Sequence, residues 1–306
     1  MFRIFKYFVA LIVIPFLFCA HKGPPLRIDR IDPRLKKITP INEHQIFLYF
    51  SEELDTLSIK SENFTIYTEQ DTLKIISVTP GNTPDQISIY TQKMTKTEYF
   101  IEGRVYDLSK RTGVFKTKFI GSTKPDTISP VIYSYSKGFK IKNFYIEFSE
   151  PVDTTAIIFY VFPKRKMAKD WYYMKKLYLK PENDSLNYDT TYYLFLKGIK
   201  DLSGNPGTPF VTTITPDTIY NPIFIRGRAV LNDTLLIRGI ALIGYEKILG
   251  ISMIERGEFL FEVRDSLKYL IQVFGEGCYG VDSVSASDTN IIRVAPGVFN
   301  LDSIIN

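Results

Sequence analysis

The chain has 306 residues, enough for two or three domains, and 45% of them are hydrophobic, which excludes a disordered protein. Its 23 Phe and 20 Tyr, together with frequent Ile and Thr, are typical of pleated, half-buried strands and predict an all-β protein. The formal net charge of +5 is spread along the chain with only local basic clusters, such as residues 164–166, which argues against a nucleic-acid partner.

Residues 1–19 have the pattern of an export signal. Arg3 and Lys6 give a positive start, and an uninterrupted apolar run follows at residues 8–18. This run is too short to cross a bilayer as a helix, because about 20 apolar residues are needed. We therefore predict a signal peptide at residues 1–19.

The end of this segment, Leu17-Phe18-Cys19, resembles the lipobox of bacterial lipoproteins, in which the cysteine becomes the lipidated first residue of the mature chain. Phe18 departs from the family pattern, which has a small residue there, so a plain secreted protein and an uncleaved anchor remain alternatives. The resemblance implies lipid attachment at Cys19 and a place in the cell envelope, at the outer membrane or cell surface. Cys278, the only other cysteine, is then without a disulfide partner.

An internal repeat of about 95 residues follows a short leader at 20–30. The block IFLYFSEELDT at 46–56 aligns with FYIEFSEPVDT at 144–154. A second block, TEYFIEGRVYDLS at 97–109, aligns with TYYLFLKGIKDLS at 191–203. Two ordered blocks at nearly the same spacing indicate duplicated domains.

Two similar PDTI seams, at 125–128 and 216–219, mark the ends of the repeated units. We predict module 1 at 31–121, module 2 at 128–216, and a third, different module 3 at 223–306. Short alternating segments between frequent turn residues, in units of this size, predict immunoglobulin-like sandwiches of two antiparallel sheets.

The second unit carries a family resemblance. Its segments ISPVIYSYSKGFKIKNFYIEFSEPVDTTAI and LNYDTTYYLFLKGIKDLSGNPG resemble the bacterial Ig-like domain of S-layer and other surface proteins, with an opening Pro, an F-S-E-P-V-D strand end, a T-x-Y strand and a D-x-x-G-N turn. The resemblance implies tandem Ig-like β-sandwiches. Module 1 keeps the Phe-Ser-Glu and Asp positions but has KRTG at 110–113, so its assignment rests mainly on the repeat.

Module 3 resembles a different family. The segments IRGRAVLNDTLLIRGIALIG, GEFLFEV and LIQVFGEGCYGVDSVSA, within 225–286, are similar to the carboxypeptidase-regulatory or transthyretin-like sandwich. Another small β-sandwich is the alternative. Either assignment completes an all-β chain with a smaller C-terminal sandwich.

The stretch FSEPVDTT at 148–155 places Glu150 and Asp153 close together at the end of a predicted strand. Pro151 cannot donate to a ladder, and Ser149 and Asp153 are residues that bond nearby backbone amides, so the pattern predicts a turn. Calcium held by Glu150 and Asp153 is one alternative, and carboxylate catalysis is another. Because the corner recurs in module 1, we favour the structural interpretation and predict no cofactor, no metal and no catalytic residue.

Exposed aromatic residues are the remaining candidates for binding. Trp171, Tyr172 and Tyr173 lie in the basic stretch KRKMAKDWYYMKK, where aromatic rings can stack on sugars or anchor a protein. The alternative is a strand whose rings pack into the core while lysine stems cover the others.

Taken together, the sequence predicts a non-catalytic, lipid-anchored envelope protein. Its Ig-like domains are expected to act as a spacer or as protein-binding modules, with the membrane as one partner and an unidentified protein or glycan as another. A carbohydrate-binding accessory protein is the first alternative, and a hydrolase is the second, although G-x-S-x-G and H-E-x-x-H signatures are missing.

Overall fold

The structure, a computed structural model, describes residues 31–182, 185–219, 221–286, 290–297 and 304–305. The described residues form β-strands joined by turns, which confirms the predicted all-β class. The predicted signal peptide, Cys19 and the leader at 20–30 lie outside the described residues. Within the described part of the chain, no helix is long and apolar enough to span a membrane.

Module 1 is a sandwich of two four-stranded antiparallel sheets, ordered β1-β2-β6-β5 and β4-β3-β7-β8. Alternate residues of its strands face the core between the sheets, as Ile46, Leu48 and Phe50 do with no exposed surface. Two 3-10 turns, Thr56–Ser58 and Ser61–Asn63, connect the sheets. The strands are β1 (Leu35–Pro40), β2 (Gln45–Phe50), β3 (Phe64–Tyr67), β4 (Thr72–Leu73), β5 (Ile75–Pro80), β6 (Gln86–Thr91), β7 (Glu98–Tyr106) and β8 (Thr112–Ile120).

Module 2 is a second sandwich, with sheets ordered β12-β13-β10-β9 and β11-β14-β15. Phe144, Ile146 and Phe148 repeat the alternation of the first copy and are fully buried. The strands are β9 (Ile132–Tyr135), β10 (Phe144–Phe148), β11 (Ile158–Phe162), β12 (Met167–Tyr172), β13 (Lys176–Pro181), β14 (Tyr192–Lys197) and β15 (Phe210–Ile214).

Module 3 is one sheet that closes on itself, ordered β17-β16-β20-β19-β18-β21-β22-β23, with β23 pairing in parallel with β16. The closure is narrow at two joints: β19 and β20 pair only at Glu255 and Glu258, and β22 and β23 pair at two positions. The strands of module 3 therefore lie in two layers that face each other across the core. They are β16 (Ile223–Leu231), β17 (Thr234–Leu235), β18 (Arg238–Gly244), β19 (Ile248–Glu255), β20 (Glu258–Val263), β21 (Tyr269–Gly275), β22 (Cys278–Val284) and β23 (Asn290–Pro296).

Strand β14 is buried on both faces, because modules 2 and 3 pack together. Leu194 and Leu196 point into the core of module 2, whereas Tyr193 and Phe195 belong to the core of module 3. A strand covered on both sides loses the usual alternation and reads as an apolar run, as YYLFL does here. Modules 2 and 3 thus share one continuous apolar contact.

Polar bonds fix the orientation of this contact. The Tyr193 hydroxyl donates to the Glu262 carbonyl (2.8 Å) and accepts from the Glu262 N–H (2.7 Å). Gly250 lets the strands approach, since a Cβ there would lie 2.7 Å from a ring carbon of Tyr193. Arg264 of module 3 donates to the Thr215 hydroxyl (2.7 Å) and pairs with Asp217 at the end of module 2.

The Tyr193 hydroxyl should stabilise modules 2 and 3 together. We expect Tyr193→Phe to lower the free energy of unfolding by about 1–3 kcal/mol, because the Glu262 amide and carbonyl lose their partner. Urea unfolding should show this loss in the transition of both modules. Tyr133→Phe, at a residue 77% exposed, is the matched control and should change little. Equal stabilities for the two variants would contradict the proposed coupling.

Candidate functional site

Both copies of the Phe-Ser-Glu corner have the geometry of a strand exit. The Ser149 hydroxyl accepts from the Val131 N–H (3.1 Å), and in module 1 the Ser51 hydroxyl accepts from the Arg34 N–H (2.9 Å). Each serine therefore fastens the first segment of its module to the end of the second strand. This shared role explains the repeated serine without any chemistry at the corner.

The aspartates of the two corners hold the following turn. Asp153 Oδ1 accepts from the Thr155 N–H (3.0 Å), and its second oxygen pairs with Lys200 (3.2 Å). The hydroxyl of Thr155, with smaller contributions from Lys200, lowers the pKa of the Asp153 carboxyl. In module 1, Asp55 pairs with Lys110 in the same manner. Both aspartates are therefore carboxylate anions that are already paired with a lysine of their own module.

Glu150 has a different environment, because it meets two other carboxylates. One oxygen from each of Asp126, Glu150 and Asp201 lies within 4.8 Å of the others. Asp126 comes from the segment between modules 1 and 2, and Asp201 from the turn after β14. We call these three residues the acidic cluster. Asp153 is not part of it.

The turn at 201–205 holds the acidic cluster in place. Asp201 is 2% exposed and accepts from the N–H groups of Ser203 (2.9 Å) and Asn205 (2.7 Å). The Asn205 side-chain amide donates to Asp201 (2.7 Å) and to the carbonyl of Asp126 (3.2 Å). The Ser203 hydroxyl also donates to the Asp126 carboxylate (3.3 Å). The D-x-x-G-N turn therefore clamps the segment that joins the two modules.

The electrostatics of the acidic cluster favour a proton on Glu150. Burial, and then the negative charges of Asp126 and Asp201, raise the pKa of the Glu150 carboxyl to about 7, while Lys175 opposes the shift. Glu150 is therefore divided between its neutral and anionic forms near neutral pH. Such a group responds to pH and to cations.

The charges of the acidic cluster reach module 1. Burial raises the pKa of Tyr90 on β6, and the charges of Glu150, Asp126 and Asp201 raise it further. The Tyr90 hydroxyl accepts from the Gln45 side-chain amide (2.8 Å).

Polar bonds hold module 1 to the joining segment and to module 2. The Glu43 N–H donates to the Lys124 carbonyl (2.8 Å), and the Tyr173 hydroxyl donates to the Thr56 carbonyl (3.1 Å). The apolar core of module 1 contains residues of module 1 alone. The junction of modules 1 and 2 thus depends on hydrogen bonds and charge, unlike the apolar contact between modules 2 and 3.

Module 1 carries a diverged copy of the clamp. Asp107 occupies the repeat position of Asp201, and Arg111 replaces Asn205. The Arg111 N–H donates to Asp107 Oδ1 (2.8 Å), but its guanidinium pairs with Asp32 (2.8 Å). The second oxygen of Asp107 is buried without a hydrogen-bond partner among the residues that the structure describes.

The predicted aromatic cluster is divided among three environments. Trp171 is half-buried and stacks on Phe148 of the module 2 core, with ring centroids 6.1 Å apart. Tyr173 belongs to the hairpin turn and bonds to module 1 through Thr56. Tyr172 is 51% exposed and packs edge-on against Tyr173. Of the three rings, that of Tyr172 is the most exposed to a ligand. Glycan binding therefore stays a prediction, with Tyr172 as the candidate contact residue.

Sequence reasoning named Glu150 but not its two carboxylate neighbours. Asp126 belongs to the PDTI seam and Asp201 to the D-x-x-G-N turn, and both motifs were interpreted as boundaries and turns. Each motif contains an acidic residue that could have been named as a member of the site. The sequence does not show which strand ends meet, so it does not predict that these residues come together. Cys278, for which the sequence predicts no disulfide partner, is 2% exposed in the core of module 3.

No protein-family model and no curated protein matches the chain significantly. Among solved structures, the N-terminal part of the bacterial S-layer protein SbsC is 10% identical, with 60% of this chain and 44% of that chain covered and a TM-score of 0.29. Latent PorU from Porphyromonas gingivalis is 10% identical, with 86% and 34% covered and a TM-score of 0.31. The chain spans about half the length of the S-layer structures it matches. TM-scores of this size do not establish a shared arrangement.

Glu150 should make stability depend on pH. Below pH 4.5 the carboxyl is neutral in both states, and between 4.5 and about 7 the unfolded chain releases a proton that the folded chain retains. Wild-type stability should therefore fall, relative to Glu150→Gln, as pH rises through this window. At pH 8 the variant should be more stable by about 1–2 kcal/mol, a value reduced for partial hydration of the carboxyl. Urea unfolding at pH 4, 6 and 8 measures the difference.

The exposed Glu53 provides the control, and Glu53→Gln should follow the wild-type pH curve. Parallel curves for wild type and Glu150→Gln would contradict the raised pKa.

The same variants test the calcium alternative, with Asp126 and Asp201 replacing Asp153 as the ligands beside Glu150. Calcium bound there should raise the unfolding midpoint of wild type and Glu53→Gln but not of Glu150→Gln.

Proposed function

We propose that the protein is an exported, lipid-anchored component of the bacterial cell envelope whose modules act as a non-catalytic spacer and as binding domains. The anchor is Cys19, at the end of the signal-like segment, and the β modules follow it in series. A lipid at Cys19 would hold the N-terminal side of these modules at the membrane surface.

The apolar contact between modules 2 and 3 is the observation that carries the spacer role. Residues of β11, β14 and β19 bury each other's apolar surface, so the two modules keep a fixed orientation. A spacer needs such rigidity, because independent domains on flexible linkers do not hold a defined distance. Module 3, for which we propose the transthyretin-like or carboxypeptidase-regulatory type, is then the module farthest along the chain from the anchor.

Cys19 should carry the lipid. We expect Cys19→Ser, expressed in a bacterial host fed an alkyne fatty acid, to lose the label and to leave the membrane fraction, because the sulfur is the attachment atom. Cys278→Ser is the matched control and should keep both, since Cys278 is buried in module 3. Labelling of Cys19→Ser would contradict lipid attachment at Cys19, and membrane retention without the label would leave an uncleaved apolar segment as the explanation.

A carbohydrate-binding role is the second candidate, favoured by the exposed ring of Tyr172. Because Trp171 packs against the core of module 2, Trp171→Ala tests stability rather than binding. We expect it to cost about 2 kcal/mol in urea unfolding, whereas Tyr172→Ala should cost less than about 0.5 kcal/mol.

Glycan pull-downs with wild type and Tyr172→Ala then separate the two functions. Under the spacer proposal the two proteins give the same result. A glycan retained by wild type and lost by the folded Tyr172→Ala variant would assign the binding role to this ring.

A further inference from the structure

Module 1 has an open groove between its two sheets. The groove has a volume of about 820 Å³ and lies between β1 and β8, the edge strands of opposite sheets. At one end it is closed, because Gly113 approaches the Pro33 carbonyl so closely that a Cβ would clash, and because Arg111 pairs with Asp32. The groove therefore opens along β8 toward Ile120.

Strand β8 leaves one backbone edge without a strand partner. It is nine residues long and pairs on one side with β7 over its whole length, and no bridge of the described residues joins its other side. Every second residue of an edge strand points its N–H and C=O outward. Val114 and Ile120 are 76% and 55% exposed at the two ends of the open stretch.

Module 2 shows what covers the same position in the other copy of the repeat. The edge of β15, the counterpart of β8, is bonded by residues 136–141. The Gly138 N–H donates to Thr213 (3.0 Å), the Thr215 N–H donates to Gly138 (2.8 Å), and the Ile141 N–H donates to Thr215 (3.0 Å). A segment that makes one parallel bridge to β15, at Gly138 and Ile214, thus covers this edge in module 2.

Module 1 cannot close its groove in the same manner. The segment that leads to the second strand is one residue shorter in module 1. It covers 13 positions from Pro33 to Ile46, against 14 from the equivalent Pro130 to Phe144 in module 2. In module 1 this segment stays paired with β2 as far as Pro40 and then turns back to β2. In module 2 this segment crosses to the other sheet and pairs with β15. In module 1 it stays beside β2, so no described segment pairs with the outer edge of β8.

The charge of the groove selects the occupant. Its lining contains one acidic residue, Asp32, and five basic residues, Arg34, Lys36, Lys37, Lys116 and Lys118. Lys116 and Lys118 are exposed and pair with glutamates of β7, which weakens but does not cancel the positive rim. The leader of this chain at 20–30 has three Lys or Arg and one Asp, so its charge does not complement the groove.

We propose that the groove between β1 and β8 binds an extended, acidic polypeptide segment of a partner protein, which adds to β8 as a further strand. Main-chain hydrogen bonds supply the affinity in this mode of binding, and alternate side chains supply specificity. The inference rests on the proposed binding role and names the surface for it. It is independent of the anchor, so its failure would leave the Cys19 result unchanged.

Hydrogen exchange of the mature, full-length chain tests this proposal. The probe is a synthetic nine-residue peptide of alternating Glu and Val, compared with the same peptide carrying Lys in place of Glu and with one carrying central prolines. We expect the acidic peptide to slow exchange of amides in 114–120, and the other two to have little effect, because one lacks charge complementarity and the other lacks donors. Acidic-peptide binding without protection of β8, or no binding at millimolar peptide, would overturn the proposal.

Charge-reversal variants sharpen the test. Lys36→Glu with Lys37→Glu should weaken binding of the acidic peptide about tenfold, whereas Lys74→Glu with Lys96→Glu, two exposed lysines outside the groove, should not. Equal effects would assign the binding to net charge and overturn the site. Protection of β8 in the chain before peptide is added, or dimerisation that protects it, would assign the groove to the leader or to a second copy instead.

Discussion

The two-sided burial of β14 is the constraint on which the rest of the molecule depends. Because Tyr193 and Phe195 are packed in module 3 while Leu194 and Leu196 are packed in module 2, neither module can move without exposing apolar surface. At about 25 cal/mol for each Å² of apolar surface, separating them would be costly. The sheet β11-β14-β15 is therefore the middle layer of a larger unit, and the orientation of module 3 follows from it.

The junction of modules 1 and 2 has the opposite character. Its contacts are hydrogen bonds and a group of carboxylates. Within this group the pKa of Glu150 is raised to about 7. Polar contacts of this kind respond to pH, salt and cations, whereas an apolar contact responds weakly. The chain thus combines one fixed contact with one that solution conditions can adjust.

The two copies of the repeat differ at the places where function is proposed. Asn205, which clamps the linker in module 2, is replaced by Arg111 in module 1, and the segment that covers the β15 edge has no equivalent along β8 within the described part of the chain. The shared residues, such as Ser51 and Ser149, hold turns and first strands in both copies. Common positions therefore maintain the sandwich, and divergent positions determine what each module can contact.

The sequence by itself determined the all-β class, the repeat and the strand exit at FSEPVD, because alternation and turn residues act over a few neighbours. It also named Glu150, Trp171, Tyr172 and Tyr173. Only the tertiary structure decided that Glu150 meets Asp126 and Asp201, that Trp171 packs inward, and that no described strand pairs with the outer edge of β8. These outcomes depend on which strand ends and faces come together from distant parts of the chain, and no local pattern encodes that pairing.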